Sequence, residues 1–147
     1  MKYVLDTNII LFYLRDKAVK KLLDEEYRLF RSSDDILISV VTLGEIRSIA
    51  RRNRWGSKRI EAVETFLNKM IIMEVGFRPI IDAYVEIDTF SQGKHESKEL
   101  KLSARNMGKN DLWIAATALA TSSKLMTTDK DFLHLDKAYF DLVLINT

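Results

Sequence analysis

The stretch Tyr3-Val4-Leu5-Asp6-Thr7-Asn8-Ile9-Ile10-Leu11-Phe12-Tyr13-Leu14-Arg15 carries the reading of the fold. Its first three residues are a short apolar run of the kind that forms a buried strand. Asp6-Thr7-Asn8 breaks the run with side chains that can cap a helix, and Ile9 to Arg15 continues as that helix. Strand, polar break and helix together make the repeating unit of an α/β sheet.

The unit recurs down the chain. A second helix is predicted from Asp16 to about Phe30, with Val19, Leu22, Leu23, Tyr27 and Phe30 on its apolar face. Ile36 to Ile38 is the next strand. Thr42 opens a helix with Leu43, Ile46, Ile49 and Ala50 on one face, ending in the basic cluster of Arg51, Arg52 and Arg54 with Gly56 as the stop. Ser57 caps a helix holding Ile60, Val63, Phe66, Leu67 and Met70, and Ile71 to Val75 fits another strand. Pro79 suits the first turn of a helix reaching Phe90. The polar stretch Ser91 to Glu99 reads as a loop. Asn110 begins a helix that is apolar all round and therefore expected to be buried. Lys124 to Thr127 is a strand, Phe132 to Leu135 a helical piece, and Leu142 to Ile145 a final strand. Parallel strands joined by helices form an open sheet, which binds ligands at the carboxyl ends of its strands.

Composition bounds the rest. A chain of 147 residues fits one domain, and 47% apolar residues suffice for a core. A net charge of +2 permits an anionic partner without demanding one. The absence of cysteine excludes disulfides and thiolate metal sites. The start carries an acid at Asp6 and no long apolar run, so no signal peptide is expected. The longest uncharged stretch, Leu112 to Ser123, falls short of the roughly 20 residues of a membrane span. A soluble cytoplasmic protein with no membrane association is the expectation.

Four carboxylates are candidates for chemistry, each with an ordinary structural reading beside it. Asp6 and Asp129 each follow a strand and precede a helical segment, which fits an N-cap as well as a ligand. Asp111 opens the most apolar helix beside Asn110, which can cap that helix alone, and a second buried carboxylate there is costly unless paired or bound to a cation. Glu45 lies on the edge of its helix's apolar stripe, where a solvated or ion-paired glutamate, with Arg47 or Arg52 as partner, is the ordinary reading. Together the four offer the oxygen donors that a hard cation such as Mg²⁺ takes. His95 and His134 are expected on the surface rather than as ligands.

Four segments then resemble one family. Tyr3-Val4-Leu5-Asp6-Thr7-Asn8, Val41-Thr42-Leu43-Gly44-Glu45-Ile46, Asn110-Asp111-Leu112-Trp113-Ile114-Ala115-Ala116 and Leu125-Met126-Thr127-Thr128-Asp129-Lys130-Asp131-Phe132 are similar, in this order, to the PIN-domain nucleases. Within them the likeness is to VapC-type toxins of toxin–antitoxin pairs. The resemblance implies a single PIN domain over residues 1–147, a three-layer α/β/α sandwich around a mainly parallel sheet. It implies a metal-dependent endoribonuclease in which Asp6, Glu45, Asp111 and Asp129 hold Mg²⁺, or Mn²⁺ in its place. Thr127 matches the family's hydroxyl residue and would orient an acid or a water, with Asn8 as a further supporting group and Asp131 peripheral. A cognate antitoxin and a homodimer are implied as partners. The long polar stretch 91–109 departs from the family's usual size and leaves substrate choice open.

Two basic runs are candidates for holding RNA phosphates: Arg51, Arg52, Arg54, Lys58 and Arg59 with Trp55 among them as a stacking group, and Lys98, Lys101, Arg105 and Lys109 ahead of Asp111. The first run also fits a solvated helix end that complements the dipole. Two other classes compete. A phosphatase with Asp6 as nucleophile would need a second aspartate where Asn8 stands. A non-catalytic RNA-binding module would be favoured by loss of one of the four acids, and all are present.

Overall fold

Strand β1, Lys2–Leu5, lies at the centre of the sheet and decides the rest. In the computed structural model, which describes residues 1–30 and 35–147, it is flanked by β2, Asp35–Ser39, and β4, Lys124–Thr127. β3, Ile71–Met73, and β5, Leu142–Leu144, form the two edges. The order is β3-β2-β1-β4-β5, and every pairing is parallel. The expected mainly parallel sheet is thus parallel throughout. Parallel neighbours need crossovers, and these are supplied by α1 (Thr7–Arg15), α2 (Lys17–Glu25), α3 (Val40–Arg52), α4 (Ser57–Leu67), α5 (Arg78–Ser91) and α6 (Lys109–Ala120). A short 3-10 helix, Lys130–Leu135, follows β4.

Alternation along the strands sends side chains to two cores. Tyr3, Leu5, Ile36, Ile38 and Met126 meet α1–α4 through Ile9, Ile10, Leu23, Ile46 and Phe66. Val4, Leu37 and Leu125 meet α5, α6 and the 3-10 helix through Ile87, Phe90, Ile114, Ala115 and Phe132. Helices on both faces of one sheet make the three layers. Each fully buried aliphatic side chain here contributes about 1.5–3 kcal/mol.

Several element ends differ from expectation for local reasons. Helix α2 stops at Glu25 instead of Phe30, because Arg28 turns left-handed (φ 52°) and the Leu29 N–H returns to the Leu23 carbonyl. Tyr27 and Phe30 still reach the first core, from the turn. Ser39 caps α3 by accepting from the Val41 N–H, so this helix begins before Thr42. Ser57 is the first helical residue of α4, with Gly56 at the cap. Gly108, not Asn110, is the cap of α6.

Ser91 does not open a loop. It closes α5, is fully buried, and its hydroxyl lies 2.7 Å from His134 Nε2. His134 is therefore a core residue, contrary to the surface position expected of it. His95 is only partly exposed and bonds Glu86 at 2.6 Å. The stretch 92–108 is pinned to the body: Lys98 donates to the Ala138 carbonyl at 2.7 Å and lies 4.0 Å from the Tyr139 ring centre. The Arg105 N–H donates to the Ser91 carbonyl, and Met107 is buried. No helix among the described residues is long and apolar enough to cross a membrane.

Candidate active site

In a sheet of this order the crossovers leave β1 in opposite directions, which opens a crevice at the carboxyl ends of β1 and β4. Asp6 stands at the end of β1 and Asp129 just past the end of β4. Helices α3 and α6, which pack against one another, add Glu45 and Asp111.

Asp6 caps α1, as its position suggested, but it also does more. It is 5% exposed, and each oxygen is engaged. Oδ1 accepts from the Thr7 N–H at 2.7 Å, and Oδ2 accepts from the Thr127 hydroxyl at 2.7 Å. The Thr127 hydroxyl in turn accepts from the Asp129 N–H at 3.0 Å. One fully buried hydroxyl thus ties the two strand ends and their acids together. Asp129 caps the 3-10 helix through Oδ1, which accepts from the Asp131 N–H at 2.8 Å.

Glu45 is held by a residue the sequence reading passed over. The buried Thr7 hydroxyl donates to Glu45 Oε1 at 2.8 Å and lies 3.3 Å from the Thr42 hydroxyl. Thr7 therefore orders Asp6 through its N–H and Glu45 through its side chain. The available signal was a threonine, not an apolar residue, at a position facing the core. Arg47 is not the partner of Glu45; it forms a two-point pair with Glu64 at 2.9 and 3.2 Å. Asn8 is exposed to solvent.

Electrostatics marks the four acids as one group. The Asp111 carboxyl is pushed up to about 6, first by burial and then by the charges of Asp6, Asp129, Glu45 and Asp131. Burial also raises Asp6, partly offset by its bonds to Thr127 and Thr7, with Glu45 and Asp129 raising it further. Asp131, expected to be peripheral, is close enough to act on Asp111. Among the described residues, no three acidic or histidine side chains are gathered tightly enough to form a ready-made metal cage. The charges of Asp6, Asp129 and Glu45 nevertheless reach Asp111. A donor set made only of carboxylate oxygens suits a hard divalent cation.

The basic run divides. Arg52 shares a groove of about 560 Å³ with Glu45, Gly44, Ser48 and Asn110. Arg51 lies on another face with Trp55 and Glu64, in a hollow of about 290 Å³. Trp55 is half-buried against the first core, and the Arg59 guanidinium covers its ring at 3.9 Å. Arg54 is exposed at a left-handed turn (φ 51°) after α3. Lys109 is exposed in the first turn of α6, two residues from Asp111. A second cavity of about 560 Å³, lined by Lys2, Lys124 and Asp141 among others, opens at the amino ends of β1 and β4, the wrong end for this sheet's chemistry.

Residues 3–138 match the PIN domain. The chain is 28% identical over 127 residues to Ribonuclease VapC1 of Haemophilus influenzae (strain R2866), a match covering 86% of each protein. It is 29% identical over 119 residues to Ribonuclease VapC of Haemophilus influenzae (strain 86-028NP), covering 80% of this chain and 79% of that one. Among solved structures, VapBC-1 from nontypeable Haemophilus influenzae superposes with a TM-score of 0.76 at 25% identity, covering 98% of both chains. VapBC2 from Rickettsia felis, bound to a DNA fragment from its promoter, gives 0.73 at 23% identity, covering 99% of this chain and 98% of that one. The matched region runs from β1 past the 3-10 helix and includes Asp6, Glu45, Asp111 and Asp129, so the chain belongs to the PIN-domain family.

Proposed function

We propose that this chain is a VapC-type toxin, a metal-dependent endoribonuclease that hydrolyses RNA phosphodiester bonds and is restrained by a cognate antitoxin. The observation that carries the reading is the placement of Asp6 and Asp129 at the carboxyl ends of β1 and β4, tied through Thr127, with Thr7 joining Glu45 to Asp6 and Asp111 opening α6. The similarity to VapC ribonucleases and to VapBC toxin–antitoxin structures supports the reaction class and the partner.

Those four carboxylates would hold Mg²⁺, with Mn²⁺ as substitute. Such a cation, when bound, acidifies water and neutralises charge on phosphate oxygens. The chain's own groups prepare the pocket. Thr127 and the Thr7 N–H fix Asp6 from two sides, and the Thr7 hydroxyl fixes Glu45. Burial and the neighbouring carboxylates raise Asp111, and a divalent cation held beside it would favour its ionised form. Arg52 and Lys109, exposed near the carboxylates, give phosphates a cationic approach. A homodimer fits the stripe of exposed apolar side chains Phe77, Ile81 and Val85 along α5.

The test incubates purified protein with mixed RNA, with Mg²⁺ or with chelator, beside Asp6→Asn and Asp111→Asn. Cleavage that needs the metal and disappears in both variants is expected. Cleavage indifferent to both substitutions would overturn the site.

A further inference from the structure

Gly44 stands inside α3, where glycine costs about 0.5–1 kcal/mol relative to alanine. No contact among the described residues requires it. A Cβ built there meets no heavy atom within 4 Å, and Gly44 is not among the residues with positive φ. The side it leaves bare is the groove that holds Glu45, Ser48 and Arg52 of α3 and faces Asn110 of α6. Gly44, Glu45, Ser48 and Arg52 recur at helical spacing, so they form one stripe. Glu45 anchors its catalytic end, and Arg52 lies about 10 Å further along the helix axis. The groove shares Glu45 with the four carboxylates and is polar, with the Arg52 guanidinium at its far end.

We infer that this groove is a subsite for the sugar–phosphate backbone of a single RNA strand beside the scissile bond, with Gly44 leaving the room in which the strand lies against α3. The inference rests on the ribonuclease reading and adds to it where the substrate runs. Ser48 and Asn110 offer neutral hydrogen-bonding groups to ribose and phosphate oxygens. Arg52 takes a phosphate a few nucleotides from the cut, and its charge offsets the repulsion between that backbone and Glu45. Gly44 sets which strand conformations fit, because any side chain there projects into the groove.

The test uses a short unstructured RNA labelled with a fluorophore. Binding is read by anisotropy in chelator, so that cleavage does not intervene, and cleavage is read separately with Mg²⁺. Gly44→Leu should melt at or above the wild-type temperature, since leucine is the better helix former and the space is open. It should nevertheless bind RNA about tenfold more weakly or worse and raise KM, the size of one well-made contact. Gly44→Ala should fall between the two. Arg52→Gln, at an exposed position, should weaken binding and reduce the slope of log affinity against log salt by about 0.7. Wild-type affinity in both Gly44→Leu and Arg52→Gln overturns the subsite. So does unchanged RNA affinity combined with lost antitoxin binding, which would give the groove to a protein segment. A wild-type chain without affinity for RNA at low salt overturns it as well. Binding that follows the expected pattern in a chain that cuts no RNA would retire the ribonuclease reading and keep the groove.

Discussion

Two threonines order two carboxylates and the main chain of a third acid. Thr127 donates to Asp6 and accepts from the Asp129 main chain, while Thr7 spends its N–H on Asp6 and its hydroxyl on Glu45. Removing such a supporting partner typically costs a metal site about 10–100-fold. Thr7→Val is therefore expected to cut Mg²⁺-dependent cleavage by that order, and Thr7→Ser to restore most of it. Equal activity in all three proteins would show that Glu45 needs no such anchor.

Asp111 and His134 pull stability in opposite directions with pH. The folded Asp111 carboxyl titrates near 6, above its unfolded value of 3.8. Between these values the folded chain keeps a proton the unfolded chain has released, so stability falls as pH rises. His134 titrates near 4 when folded against 6.5 unfolded, held down first by burial and then by the Arg105 charge. Its Nδ1 is buried without a hydrogen-bond partner among the described residues. Below 6.5 the unfolded chain takes up a proton the folded chain refuses, so stability falls as pH drops. In metal-free wild type the two slopes oppose one another. Asp6, raised mainly by burial, adds to the first slope, and Asp111→Asn removes only the Asp111 share of it. The variant should therefore lose less stability than wild type as pH rises from about 4 to 6, and its melting point at pH 7 should exceed wild type by about 2–6 °C. Melting curves in chelator check this; a variant that melts lower would mean that Asp111 is stabilising as a bare acid.

At the scale of elements, helix ends and the long insert are where local signals and tertiary contacts divide the work. Asp16 caps α2 by accepting from Ala18 and Val19, a signal plain in the sequence. The end of α2 was not legible, because Tyr27 and Phe30 keep helical spacing while the backbone has already turned at Arg28. The stretch 92–108 is polar, yet it is fastened at Lys98, Arg105 and Met107. The Lys98 ammonium both satisfies the Ala138 carbonyl and lies over Tyr139. Lys98→Ala should leave global stability within about 1–2 kcal/mol of wild type while making this stretch much easier to cut by protease. Limited proteolysis with mapped fragments reads this directly; cleavage no faster than in wild type would place the fastening elsewhere.

At the scale of the molecule, one sheet gathers acids from β1, α3, α6 and the β4 end into a crevice that repels itself when bare. A ligand that binds only the folded state raises its stability by mass action. Millimolar Mg²⁺ should therefore raise the wild-type melting point, and should raise that of Asp111→Asn much less. The exposed Phe77, Ile81 and Val85 stripe gives an assembly prediction. Ile81→Glu should shift the protein toward monomer in light scattering without lowering its melting point by more than a few degrees. A wild-type protein that is already monomeric at high concentration would remove α5 as a dimer face.

The sequence by itself determined the alternation of strands and helices, the burial of α6 and the positions of Asp6 and Asp129 at strand ends. These follow from local periodicity and capping, which a chain carries residue by residue. It also marked Asp111 as hard to explain without a partner, since a carboxylate entering so apolar a helix has few structural uses. It did not carry Glu45 into the site on physical grounds; only a family resemblance did. The tertiary structure decided that Glu45 meets Thr7, that the arginine run splits around α3, that His134 is buried against Ser91, and that Gly44 opens onto a groove. Each of these depends on which helix faces which strand, and in a parallel sheet that is set by crossovers between residues far apart in the chain. The four carboxylates come to one end of the sheet because β1 lies between β2 and β4, and no stretch of the sequence records that neighbourhood.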